Sequence, residues 1–122
     1  MKDIGTMRIT IPATPPSINT YLHKHWRVKK DIKEEWIKMI WGRLPANHPR
    51  NCKHVHIKAT ITFPIKRTRD AQNYAATLFK FLDDALKVAH VIPDDTAEFI
   101  SHSEPVLRVG DKAETVIEIR EE

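Results

Sequence analysis

One stretch of the chain, Lys66 to Asp95, concentrates the residue types that could act on a phosphodiester: KRTRDAQNYAATLFKFLDDALKVAHVIPDD. Lys66, Arg67 and Arg69 run into Asp70, a helix-like segment carries Lys80, Asp83 and Asp84, and Asp94-Asp95 follow a proline. Cations set beside carboxylates suit a site that holds a phosphate against a hard divalent cation. Mg²⁺ takes one or two protein carboxylates and completes its shell with waters and phosphate oxygens. Asp70, Asp94 and Asp95 are the candidate metal ligands. Lys80 could neutralise charge developing on the phosphate, and Lys66, Arg67 and Arg69 could hold a strand by its backbone without reading bases. A metal so held could polarise a phosphodiester and generate the attacking hydroxide.

Each of these residues also has an ordinary role. Asp70 could cap a helix, Asp84 could pair with Lys80 at i, i+4, and Asp94-Asp95 could be turn residues. A helix of about 18 residues is about 27 Å long. Asp70 and Asp95 therefore meet only if the DD turn folds back along the helix, or if the segment before Lys80 is not helical.

A second basic cluster lies upstream: His23, Lys24, His25, Arg27, Lys29 and Lys30, interleaved with Tyr21 and Trp26. Aromatics among cations stack on bases or pack on a core. Lys24, Arg27, Lys29 and Lys30 are candidate nucleic-acid contacts. His54 and His56 share one face of a strand as a possible zinc pair, but no cysteine or third histidine stands at ligand spacing, so they read as surface histidines. Cys52 reads as a small packing residue.

The elements that must position these residues follow from periodicity. Residues 7–12 alternate as a first strand ended by Pro12, and TPPSINTYLHKHWR reads as a rigid loop. Asp31 to Leu44 repeats apolar residues at helical spacing, with Asp31 as cap. Residues 52–63 alternate strictly, with Val55, Ile57, Ala59, Ile61 and Phe63 on one face. A second helix is expected from about Gln72 to Ala89. Two final strands, 97–109 and 114–120, are separated by a Gly110-Asp111-Lys112 hairpin turn. The expected fold is α+β, one domain over residues 1–122, in the order β-α-β-α-β-β, a mixed sheet with two helices packed on it.

Composition agrees with a globular domain: 41% hydrophobic and 30% charged residues exclude a disordered tail. The N-terminal MKDIGTMRITIP mixes Lys2 and Asp3 with short apolar pieces and does not read as a secretory signal. With a single cysteine and no apolar run near the roughly 20 residues of a membrane span, the expectation is a reducing cytoplasm. Twenty Lys and Arg against sixteen Asp and Glu give a net charge of +4. The segregation of that charge suits a polyanion.

In order, Pro15-Pro16-Ser17-x-Asn19, Arg69-Asp70-x-x-Asn73, Lys80-x-x-x-Asp84-x-Leu86 and Asp94-Asp95 resemble the RusA family of Holliday-junction resolvases, over most of the chain from Pro12 to Glu98. The resemblance implies a homodimeric, Mg²⁺-dependent endodeoxyribonuclease, with Mn²⁺ able to substitute. It would resolve four-way DNA junctions by paired symmetric nicks in recombination and repair, in a bacterial or phage setting, with no membrane and no small-molecule cofactor. Asp70 matches the family's first metal-binding Asp, Asp95 the last with Asp94 beside it, and Lys80 the essential lysine, so the resemblance implies Asp70, Lys80 and Asp95 as the catalytic set. Asn19 and Asn73 stand in its motifs and join the candidate DNA contacts. Gln72 departs from the pattern, standing where the family has a second Asp, and Asp84 or Asp94 would then complete the metal site. The interval from Asn73 to Lys80 is also one helical turn longer. Gln72 favours the alternative, a non-catalytic protein that binds branched DNA on the same scaffold.

Overall fold

The computed structural model describes residues 6–122; Lys2 and Asp3 lie outside the described residues. The alternation of VHIKATITF places Val55, Ile57, Ala59, Ile61 and Phe63 in the core and turns His56, Lys58, Thr60 and Thr62 the other way, in β2 (Val55–Phe63). This strand is the centre of the sheet. On one side it pairs antiparallel with β5 (Glu114–Glu121), which pairs antiparallel with β1 (Thr6–Ile11). On the other side it pairs in parallel with β3 (Ile100–His102) and β4 (Val106–Val109), two pieces of one edge.

A parallel neighbour needs a crossover, and α3 (Ala71–Val88) supplies it. Its apolar stripe, Tyr74, Leu78, Phe81, Leu82, Ala85 and Leu86, recurs at i, i+3, i+4 and is buried throughout. Phe81 meets Tyr21 edge to face at 5.5 Å and stacks near Trp36 at 6.1 Å. Those contacts fasten α1 (Ile18–Leu22) and α2 (Trp26–Arg43) to α3. The helices cover one face of the mixed sheet and leave the other open.

The α+β class, the mixed sheet and the β-α-β-α-β-β order are as expected, with differences of detail. The segment read as a loop contains α1: Ser17 caps it by accepting from the Thr20 N–H. Pro15 and Pro16 are held to the body, since buried Thr77 donates to the Pro16 carbonyl at 2.6 Å and buried Thr115 to the Ala13 carbonyl at 2.7 Å. Helix α2 starts at Trp26 instead of Asp31, because His25 caps it through Nδ1. Its first turns therefore carry Arg27, Lys29 and Lys30 on helix. The Gly110 segment is no hairpin, because β2 lies between β4 and β5 and the chain crosses its end. Gly110 donates to the Phe63 carbonyl there, and a Cβ at Gly110 would stand 2.7 Å from Thr62 Cγ2.

Candidate nucleic-acid interface

Pro64 stops β2 and sends the chain over the end of the sheet. Arg69 is pinned in that passage: its guanidinium lies 3.9 Å above the Phe63 ring and donates to the Ile65 carbonyl at 2.9 Å. Phe63 is braced in turn by Tyr74, edge to face at 4.9 Å. Arg67, Arg69 and Arg108 line a small cavity of about 140 Å³ floored by Phe63, Leu107 and Val109. No carboxylate lines it. Three arginines around an apolar floor could take an anion, since the guanidinium fork suits phosphate oxygens. Pinning reduces the side-chain entropy lost when a ligand binds. Lys66 is exposed beside it.

Arg108 is the member that sequence reading missed. It belongs to β4, in register with Thr62, and only strand pairing brings it beside Arg67 and Arg69. Nothing in the local pattern of VLRVG marks it.

Asp70 comes next in the chain and caps α3, accepting from the Gln72 N–H at 3.0 Å. Its carboxylate is exposed and so is the Gln72 side chain. Asn73 donates its backbone N–H to the Asp70 carbonyl. Lys80 is exposed on the middle of α3 with no ion-pair partner among the described residues. Asn19 is exposed on α1, which packs against α3. In the upstream cluster, Arg27 lies 5.3 Å from the centre of the exposed Trp26 ring. Lys30 stands 4.0 Å from Glu34, and Lys24 and Lys29 are half-buried.

The remaining acids gather at the other end of α3. Asp84 pairs with Lys33 of α2 at 2.7 Å instead of with Lys80. Asp94 accepts from the Asp95 N–H at 2.8 Å, which holds its carboxyl below the ordinary range, and Lys87 adds to the effect. Lys87 Nζ stands 3.9 Å from both Asp94 and Asp95, the space a cation between them would take. Asp83, which sequence reading gave no role, bonds His102 at 2.8 Å. Burial pushes its carboxyl up, His102 partly offsets this, and Asp95 and Asp84 push in the same direction as burial. His102 stacks on Phe79 at 4.3 Å.

Asp95 thus turns back along α3 far enough for Asp83 to feel its charge. Asp70 is still about 20 Å further along the axis, at 1.5 Å per residue. The expected ligands Asp70, Asp94 and Asp95 do not converge within one chain. Among the described residues no group of three or more His, Cys, Asp or Glu side chains is set to hold a metal. Asp70 and Asp95 do not fit one Mg²⁺ ion shared within a single protomer. No described helix is long and apolar enough to cross a membrane. No family model matches the chain, and a search of curated proteins finds no similar one.

Proposed function

We propose that the chain binds branched DNA by its phosphate backbone, as a RusA-like junction protein acting in a bacterial or phage-infected cytoplasm. The observation that carries this reading is the cavity lined by Arg67, Arg69 and Arg108 with no carboxylate among its lining residues. Lys66 extends the basic surface and the Arg27–Lys30 turn of α2 offers further cations elsewhere on the chain, and phosphate contacts of this kind make affinity fall steeply with salt. A twofold homodimer suits a four-way junction, whose arms present equivalent strands.

The second reading is incision as a Mg²⁺- or Mn²⁺-dependent endonuclease. It is favoured by the exposure of Asp70, Lys80, Asp94 and Asp95, all open to a ligand or a partner. Since α3 keeps Asp70 from Asp95, a metal held by both residues would need a second protomer to bring them together. Titration of a synthetic four-way junction, a linear duplex and an RNA hairpin, each with and without Mg²⁺ or Mn²⁺, tests both readings. Preference for the junction supports the first, and equal or tighter binding of duplex or hairpin sinks it. Junction binding without nicks in either metal leaves a non-catalytic binding protein.

A further inference from the structure

The open face of the sheet carries a directed line of hydrogen bonds. His54 Nδ1 lies 3.0 Å from the Glu98 carbonyl oxygen. A carbonyl only accepts, so Nδ1 carries the proton and Nε2 of the neutral ring is an acceptor. Ser101 Oγ, 2.9 Å from that Nε2, gives its proton there. Ser101 is then left to accept from His56 Nδ1 at 2.7 Å. His56 Nε2 is consequently bare, and the Ser103 hydroxyl donates to it at 2.7 Å. One backbone carbonyl fixes the direction of the whole line, and the line ends with a serine hydroxyl on a basic nitrogen.

A serine bonded to an imidazole that is itself oriented by a third group is the arrangement that activates a nucleophile. Ser103 also opens on a cavity of about 460 Å³ lined by Arg8, Lys58 and Arg108, and by Glu104, Glu114 and Glu118. None of these three cations is in an ion pair among the described residues. We propose that Ser103 is a nucleophile toward small phosphate esters, with His56 as its general base and Arg8, Lys58 and Arg108 holding the ester's anionic oxygens.

In the reaction, Ser103 Oγ forms a bond to phosphorus as its proton passes to His56 Nε2. The bond from phosphorus to the leaving oxygen breaks, and that oxygen takes the proton back from His56. Water, giving a proton to the same nitrogen, then bonds to phosphorus as the bond from phosphorus to Ser103 Oγ breaks, and Oγ takes that proton back from His56. While His56 is cationic, its Nδ1–H stays on Ser101, and the nearest counter-charge along the line is Glu122, 3.9 Å from His54 Nε2. Ser101 and His54 are positioning residues. The site does not depend on DNA binding, although Arg108 borders both cavities.

The test is labelling of the full chain with a fluorophosphonate probe, whose P–F bond breaks as the Ser–O–P bond forms. Peptide mass spectrometry of the wild type is expected to place the label on Ser103. Ser103→Ala should abolish it, and His56→Ala, with its fold checked by circular dichroism, should slow it at least about 100-fold. Ser101→Ala should slow labelling, and Ser101→Thr, which keeps the hydroxyl, should restore it. Label spread over other hydroxyls, or wild-type uptake no faster than that of Ser103→Ala, overturns the proposal without touching the DNA reading.

Discussion

The guanidinium of Arg69 lies 3.9 Å above the ring of Phe63. That contact joins the basic loop to the last core residue of the central strand, so the Arg69 charge is held by the hydrophobic core.

Arg69→Ala is expected to weaken junction binding about tenfold or more and to lower the salt slope by about 1, the loss of one phosphate contact. Arg69→Lys should keep the slope and still lose affinity, because an ammonium neither stacks on Phe63 nor presents a fork. Arg108→Ala should resemble Arg69→Ala. Titrations at several salt concentrations check this, and unchanged affinity in both alanine variants would remove the cavity from the binding surface.

Gly110 is required by proximity. A Cβ there would stand 2.7 Å from Thr62 Cγ2, so Gly110→Ala should destabilise by about 1–3 kcal/mol through overpacking. The clash is with one methyl group, so adding Thr62→Ser should recover most of the loss. Urea unfolding of the two single variants and the double variant measures the coupling. Additive losses would show that the backbone, not the methyl, sets the requirement.

His90 follows α3 with φ of 62°, the left-handed position at a helix end where glycine is favoured. Its carbonyl accepts from the Asn51 N–H at 2.8 Å, so the backbone there is held in place. His90→Gly is expected to stabilise by about 0.5–1 kcal/mol by relieving left-handed strain. A lower melting temperature in the variant would argue that the imidazole contributes more than the strain costs.

Asp83 and Asp94 should have opposite pH signatures. The Asp83 carboxyl is raised in the fold by burial. Its contribution to stability is therefore complete below the unfolded value near about 4 and is lost as pH rises through the raised folded value. The Asp94 carboxyl is lowered by the Asp95 N–H, so its contribution is present above the unfolded value and is lost as pH falls through the folded one. Asp83→Asn should gain stability relative to wild type as pH rises from 3 to 7, while Asp94→Asn should lose it over the same range. Denaturation series at fixed salt read both, and parallel curves for the two variants would contradict the assignment.

Much of the architecture was legible in local pattern. The alternation in β2 and the stripe from Tyr74 to Leu86 give strand and helix directly, because each period exposes one face to water and the core accepts the other. The alternation around Ile117 and Ile119 gives β5 in the same way. The start of α2 was not legible, because Asp31 is the better cap by residue type and only the closed Nδ1 bond selects His25.

The candidate site divides along the same line. Residue type and order put Arg67, Arg69, Asp70, Lys80 and Asp94-Asp95 on the surface as candidates, and each of them except half-buried Arg69 is exposed. The tertiary structure decided which of them meet. Pairing of β4 with β2 carried Arg108 to Arg67 and Arg69, Lys33 of α2 took Asp84 from Lys80, and an unbroken α3 kept Asp70 away from Asp95. Pairing across β2 likewise turned an expected hairpin into a crossing over its end, and set Ser101 and Ser103 against His54 and His56. A periodic pattern is written within one segment, whereas the neighbour across a sheet is chosen by burial summed over the whole chain.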